Sequence, residues 1–133
     1  MKPFCFADGK IIDTQTASIH PMDLGLIRGY GIFDFFRTVN HQGLFLEDYL
    51  DRFTASAEKT FLPLDYSREE LRQIIGQLIE KNDLEQGGLR MVLSGGISDN
   101  HFSPADGKLF IFAESLIFPS EEKYEKGVKL LTL

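Results

Sequence analysis

Polar and apolar positions keep a two-residue beat at both ends of this chain and a 3.6-residue beat between them. The opening FCFADGKIID is two short apolar runs parted by Asp8-Gly9, a pair suited to the positive φ angles of a hairpin turn. TQTASIHPMDLG, with Pro21 and Gly25, reads as a connecting segment. Alternation resumes over residues 30–39. Tyr30, Ile32, Asp34, Phe36 and Thr38 fall on one side, and Gly31, Phe33, Phe35 and Arg37 on the other. NHQG turns the chain, and LFLE should pair back as the next strand.

From Glu47 the beat lengthens. Tyr49, Leu50, Phe53, Ala57, Thr60 and Phe61 mark one face of a helix that Pro63 ends. A second helix opens on Ser67 and Glu70 in capping-box spacing. It carries the stripe Leu71, Ile74, Ile75, Leu78 and Ile79, and should stop near Asn82. GLRMVLS is a further strand, GGISDNHFSPADG a loop, and KLFIFAESLIF a strand apolar on both faces. SEEKYEK is a charged surface segment, and GVKLLTL a final strand. Strands, two helices, then strands predict an α+β fold: one small domain with a mainly antiparallel sheet and two helices.

Composition narrows the function. A net charge of −6 with no basic stripe argues against nucleic acid as a partner. No run approaches a membrane span, and MKPFCFADGK has no apolar core of signal-peptide length, so a reduced, cytoplasmic compartment is the expectation. Cys5, the only cysteine, reads as a strand residue. His20, His41 and His101 lie far apart, so no metal site is predicted. Ser94-Gly95-Gly96 follows a strand but has neither the lysine nor the helix of a phosphate loop.

Arginines carry the remaining chemistry. Arg52 lies beside the apolar stripe of the first helix and could meet an anion there, or pair with Asp48 one turn back. Arg90 interrupts an apolar strand and must end either in water at a sheet edge or against an anion. Arg37 shares its face with Phe33 and Phe35, which suits either a carboxylate pocket or the snorkelling end of an ordinary strand.

Taken in order, FADGKII, MDLGLIRGYGIFDFFRTV, GLFLEDYLDRFTASAEKTFLP and LRMVLSGGISDNHFSP resemble the small N-terminal domain of the fold-type IV pyridoxal-phosphate enzymes. That group comprises branched-chain aminotransferases, D-amino acid aminotransferases and 4-amino-4-deoxychorismate lyases. The resemblance rests on Gly31 followed by Phe33-Asp34, on the helix with its Arg52-Phe53 step, and on the glycine-containing loop.

The resemblance implies roles. Arg52 is similar to the arginine that binds the phosphate of pyridoxal 5'-phosphate. Phe33, Phe35 and Arg37 are similar to the strand face lining the substrate pocket, and Arg28 to the loop that reaches the partner subunit of a homodimer. Arg90 matches a strand arginine of branched-chain members, and His101 a histidine that D-amino acid members use near the substrate carboxylate. Arg28 stands where branched-chain enzymes often have tyrosine, and Phe35 where they have glycine. Asp99 stands where D-amino acid members have arginine, and Ser94-Gly95 where lyase-like members have Arg-Gly.

The implied activity is transfer of an amino group between an amino acid, branched-chain or hydrophobic, and a 2-oxo acid. Aminodeoxychorismate lyase chemistry is the near alternative, and a stand-alone module for small-anion binding or dimerisation the distant one. None of the eight lysines sits in the family's Schiff-base motif. No catalytic residue is therefore expected in residues 1–133, which would be inactive alone, and a larger lysine-bearing C-terminal domain is expected to follow. The apolar stop at LLTL looks like a cut domain.

Overall fold

The computed structural model describes residues 1–131. Strands β1 (Phe4–Ala7) and β2 (Lys10–Asp13) form the expected hairpin. Asp8 at φ 50 and Gly9 at φ 76 place both turn residues in the left-handed region. A single 3-10 turn (Thr14–Thr16) and a short helix, α1 (Leu24–Arg28), interrupt the connecting segment. Strand β3 (Gly31–Val39) leads through the two-residue β4 (Gln42–Gly43) to helix α2 (Leu46–Lys59). Helix α3 (Arg68–Lys81), strands β5 (Gln86–Ser94) and β6 (Lys108–Glu114) and short helix α4 (Glu121–Lys126) follow.

The strands form one sheet in the order β2-β1-β6-β5-β3-β4, with every pairing antiparallel. The α+β expectation holds. Strand register decides which side each residue faces. Phe6, Phe36, Leu89, Met91, Leu93, Leu109 and Ile111 point to α2 and α3, where Leu50, Phe53, Leu71, Ile75 and Leu78 complete the core. A smaller cluster of Cys5, Ala7 and Phe110 lies on the opposite face with Ile12, Ala17, Val92 and Phe112.

Both long helices end in the same way. After α2, Leu62 N–H donates to Ala57 O (2.9 Å) and Phe61 N–H to Glu58 O (3.1 Å). After α3, Leu84 N–H donates to Ile79 O (3.0 Å) and Asp83 N–H to Glu80 O (3.1 Å). These are Schellman closures, with Phe61 and Asp83 rather than glycine in the left-handed position. The predicted capping box of α3 is present in full.

Four expectations are corrected. LFLE is not a strand, because Phe45 turns left-handed at φ 52 and Leu46 already begins α2. Phe61 leaves the helix face for the same reason at its own position and is exposed, while Leu62 takes the buried place. The strand KLFIFAESLIF ends at Glu114, and Ile117 and Phe118 run on into solvent. Of GVKLLTL, residues 127–131 carry no strand, and residues 132–133 lie outside the described residues. The charged segment SEEKYEK is at the surface as expected, wound into α4.

Candidate active site

The sheet face turned away from α2 and α3 is set out in rows by register. Phe33 stands beside Val92 and Val92 beside Phe110; Phe35 beside Arg90 and Arg90 beside Phe112; Arg37 beside Gly88 and Gly88 beside Glu114. An open concavity of about 550 Å³ lies along it, lined among others by Ile19, Leu26, Phe33, Arg90, Val92 and Phe112. Phe33 is 67% exposed, so its ring is presented rather than packed away.

Arg90 is the polar centre of this wall. Its guanidinium carbon lies 5.6 Å from the Phe33 ring centre and 5.2 Å from that of Phe35. Its Nε–H donates to Glu114 Oε1 at 2.7 Å, and that bond raises the arginine's pKa further. Of the two alternatives drawn from the sequence, water at a sheet edge or an anion, Arg90 meets the anion, and that anion is the protein's own Glu114 carboxylate. Phe35 owes its place to Gly88, since a Cβ there would meet the Phe35 ring at 2.1 Å. Arg37 lies one row further, its guanidinium 5.2 Å from the Phe118 ring.

Arg28 and His101 come together elsewhere, at the loop end of the sheet. Arg28 Nε–H donates to the backbone carbonyl of His101 at 2.9 Å and its guanidinium sits 4.0 Å from the Phe102 ring. Gly29, left-handed at φ 64, closes α1 after Arg28, and Leu26 and Gly29 from this segment line the concavity. Arg28 thereby joins the concavity's rim to the 98–103 loop.

Arg52 is on the other side of β3. Its Nε–H donates to Asp34 Oδ2 at 2.8 Å and its Nη2 pairs with Asp34 Oδ1, so Asp34, not Asp48, is its partner. The pair raises the arginine's pKa through the hydrogen bond first and the carboxylate's charge second. Asp34 is 3% exposed, whereas the Arg52 side chain is 64% exposed, so the buried acid fixes an outward-facing cation. Phe45, Asp48, Tyr49 and Arg52 line a hollow of about 250 Å³ there. Among the described residues Arg52 Nη1 has no hydrogen-bond partner.

Sequence reasoning missed three supports. Asp34 was visible as an acid on an otherwise apolar strand side. Glu114 gave no signal, standing at a strand end. Asp23 gave none either, yet its Oδ2 accepts from the Ser94 hydroxyl at 2.9 Å and its Oδ1 from Gly25 N–H at 2.7 Å, with both side chains buried. Among the described residues, no cluster of three or more metal-ligating side chains occurs, and no helix is long and apolar enough to cross a membrane.

Residues 31–133 match the family model described as amino-transferase class IV. The chain belongs to that family. A D-alanine aminotransferase from Staphylococcus epidermidis is 28% identical over 131 residues, covering 96% of this chain and 46% of that protein. The branched-chain amino acid aminotransferase of Escherichia coli superposes with a TM-score of 0.81 at 20% identity, over 87% of this chain and 40% of its own. A hypothetical aminotransferase from Mycobacterium tuberculosis, in a PLP-bound form, gives a TM-score of 0.72 at 22% identity, over 84% of this chain and 39% of its own. The class IV chain described here thus spans about half the length of the relatives it matches.

Proposed function

We propose that residues 1–133 form the small N-terminal domain of a pyridoxal-phosphate-dependent aminotransferase. It moves an amino group between a hydrophobic or branched-chain amino acid and a 2-oxo acid. A reactive lysine and a larger domain lie beyond residue 133, in line with relatives of about twice the length. The observation that carries the reading is the open wall on which Phe33 and Phe35 flank Arg90 beside an apolar concavity.

Each residue has a task there. Phe33, Val92 and Phe112 offer apolar surface to a substrate side chain, and exclude water from it. Arg37 offers a cation to a substrate carboxylate at one end of the wall, and Arg28 and His101 stand at its other, loop end. The Arg52 guanidinium fits a phosphate ligand: it is held by Asp34, faces outward and keeps Nη1 free. It would supply one of several donors to that phosphate. Once bound, the cofactor supplies the electron sink that amino transfer requires. A homodimer, with Arg28 near the partner, and a cytoplasmic setting belong to the same proposal. Cys5 suits that setting as a buried free thiol whose pKa burial pushes up.

The test is an assay of the full-length protein for 2-oxo acid formation against aminobenzoate release. Formation of a 2-oxo acid from leucine or D-alanine supports the proposal, release of aminobenzoate replaces it with the lyase, and neither defeats both. Arg52→Met should weaken pyridoxal-phosphate binding about tenfold or more by absorbance titration. Purified 1–133 should show no turnover.

A further inference from the structure

Among the described strand residues that share the open face with Phe33, Glu114 is the single carboxylate, and it is committed. Its Oε1 accepts from Arg90 Nε at 2.7 Å, along the diagonal between two neighbouring rows of the β5–β6 pairing. The two side chains are comparably shielded, 35% exposed for Arg90 and 33% for Glu114. Arg90 borders the concavity, whereas Glu114 is outside its lining and reaches the guanidinium from the neighbouring row. The rings of Phe33 and Phe35 flank the guanidinium as well. Arg37, by contrast, has an aromatic neighbour but no carboxylate among the described ion pairs. Of the wall's two arginines, one is therefore charge-paired in place and the other is not.

We propose that Glu114 is a specificity-determining residue. By holding Arg90, it turns the wall toward amino acids and 2-oxo acids that carry one carboxylate and an uncharged side chain, and against those with a second carboxylate. The inference rests on the amino-transfer reading above. A second carboxylate that reached for Arg90 would meet a guanidinium already charge-paired through Nε and a like charge next to it. Repulsion of that kind acts as selection against the wrong ligand. An uncharged side chain meets Phe33, Val92 and Phe112 and disturbs no ion pair. The apolar surround strengthens both effects, because charge interactions weaken less where water is partly excluded.

Glu114→Gln separates charge from shape. Glutamine keeps a carbonyl oxygen for Arg90 Nε–H but removes the negative charge. Two readouts are taken on the full-length protein. One is the ratio of kcat/KM for leucine over glutamate as amino donor. The other needs no turnover: dissociation constants for 4-methylpentanoate and glutarate by NMR titration. Wild type should bind 4-methylpentanoate about tenfold or more tightly than glutarate. Glu114→Gln should narrow both ratios by about tenfold, and the gain for glutarate should vanish when Arg90→Gln is added.

Wild-type preference for glutarate, or ratios unmoved by Glu114→Gln, overturns the inference. So does a glutarate gain that survives in the Arg90→Gln background. The wild-type comparison stands even where a variant does not fold. Absence of turnover with the binding preference intact defeats the amino-transfer reading but not the role of Glu114 in carboxylate selection. Turnover without the preference defeats the inference alone.

Discussion

Asp23 holds the segment that borders the concavity, and replacing it by alanine should be costly out of proportion to its size. It is 1% exposed and caps α1: Oδ1 accepts from Gly25 N–H, and Oδ2 from the hydroxyl of Ser94, itself 2% exposed. The backbone adds to the tie, with Leu24 N–H donating to Gly96 O at 2.8 Å. Asp23→Ala removes the cap, worth about 1 kcal/mol, and strands the Ser94 hydroxyl in the interior, worth about 1–3 kcal/mol. Relief from burying a charge offsets part of this. The net loss should be about 2–3 kcal/mol, or roughly 6–12 °C in Tm. Urea denaturation of wild type, Asp23→Ala, Ser94→Ala and the double variant measures it. The two losses share one hydrogen bond, so the double variant should be more stable than the sum of the singles implies by about 1 kcal/mol. Strict additivity, or a loss for Asp23→Ala below about 0.5 kcal/mol, would refute the latch.

Other outcomes follow from single contacts. Gly88→Ala should push the Phe35 ring off β5, since a Cβ would lie 2.1 Å from it, with no backbone strain to relieve. Aromatic NMR shifts of Phe35 check this, and an unmoved ring refutes it. Asn82→Leu should destabilise the protein by about 1–3 kcal/mol in urea, because Asn82 bonds both Phe4 N–H and Phe4 O at 3.0 Å and is buried. Glu47 joins α2 to Arg68 and Arg72 of α3, and the Arg72 bond first of all holds its pKa at about 2 against an ordinary 4.5. A depressed carboxyl stabilises fully above its unfolded value and loses that contribution as pH falls through its folded one. The Tm gap between wild type and Glu47→Gln should therefore be complete above pH 4.5 and close towards pH 2; a gap still full at pH 2 contradicts the assignment.

What the sequence disclosed depended on whether a signal was periodic. Asp8-Gly9, the alternation through 30–39 and the Ser67–Glu70 box each state their geometry locally, and all three stand. Element ends were legible only where a familiar residue marked them. Phe45, Phe61 and Asp83 take left-handed backbone that a reader expects of glycine, so LFLE looked like a strand and Phe61 like a helix position. Short helices such as α1 have too few turns to show a stripe. Leu24 alone of its five residues is buried, held by the Asp23 cap and the glycines of the 94–96 turn.

The site shows the same division in chemical form. Periodicity put Phe33, Phe35 and Arg37 on one face because alternation is a property of one strand. The charge state of that face is a property of three strands, and it emerges only from register. Arg90 stands across from Phe35, and Glu114 reaches it from β6. On the helix side Asp34 does the opposite for Arg52: the acid is buried and the cation exposed, so the pair aims a positive charge outward. One sheet thus uses two arginine–carboxylate pairs with opposite consequences. Asp34 takes Nε and Nη2 of a guanidinium that stays 64% exposed and keeps Nη1 outward. Glu114 takes only Nε of one that is 35% exposed, but sets a negative charge beside the pocket wall. Exchanging the charge at each should therefore have opposite effects on anion affinity. Glu114→Gln should raise it at the pocket wall, whereas Asp34→Asn should lower phosphate binding by loosening Arg52. A fall at both positions would show that the pairs act alike, as scaffold only.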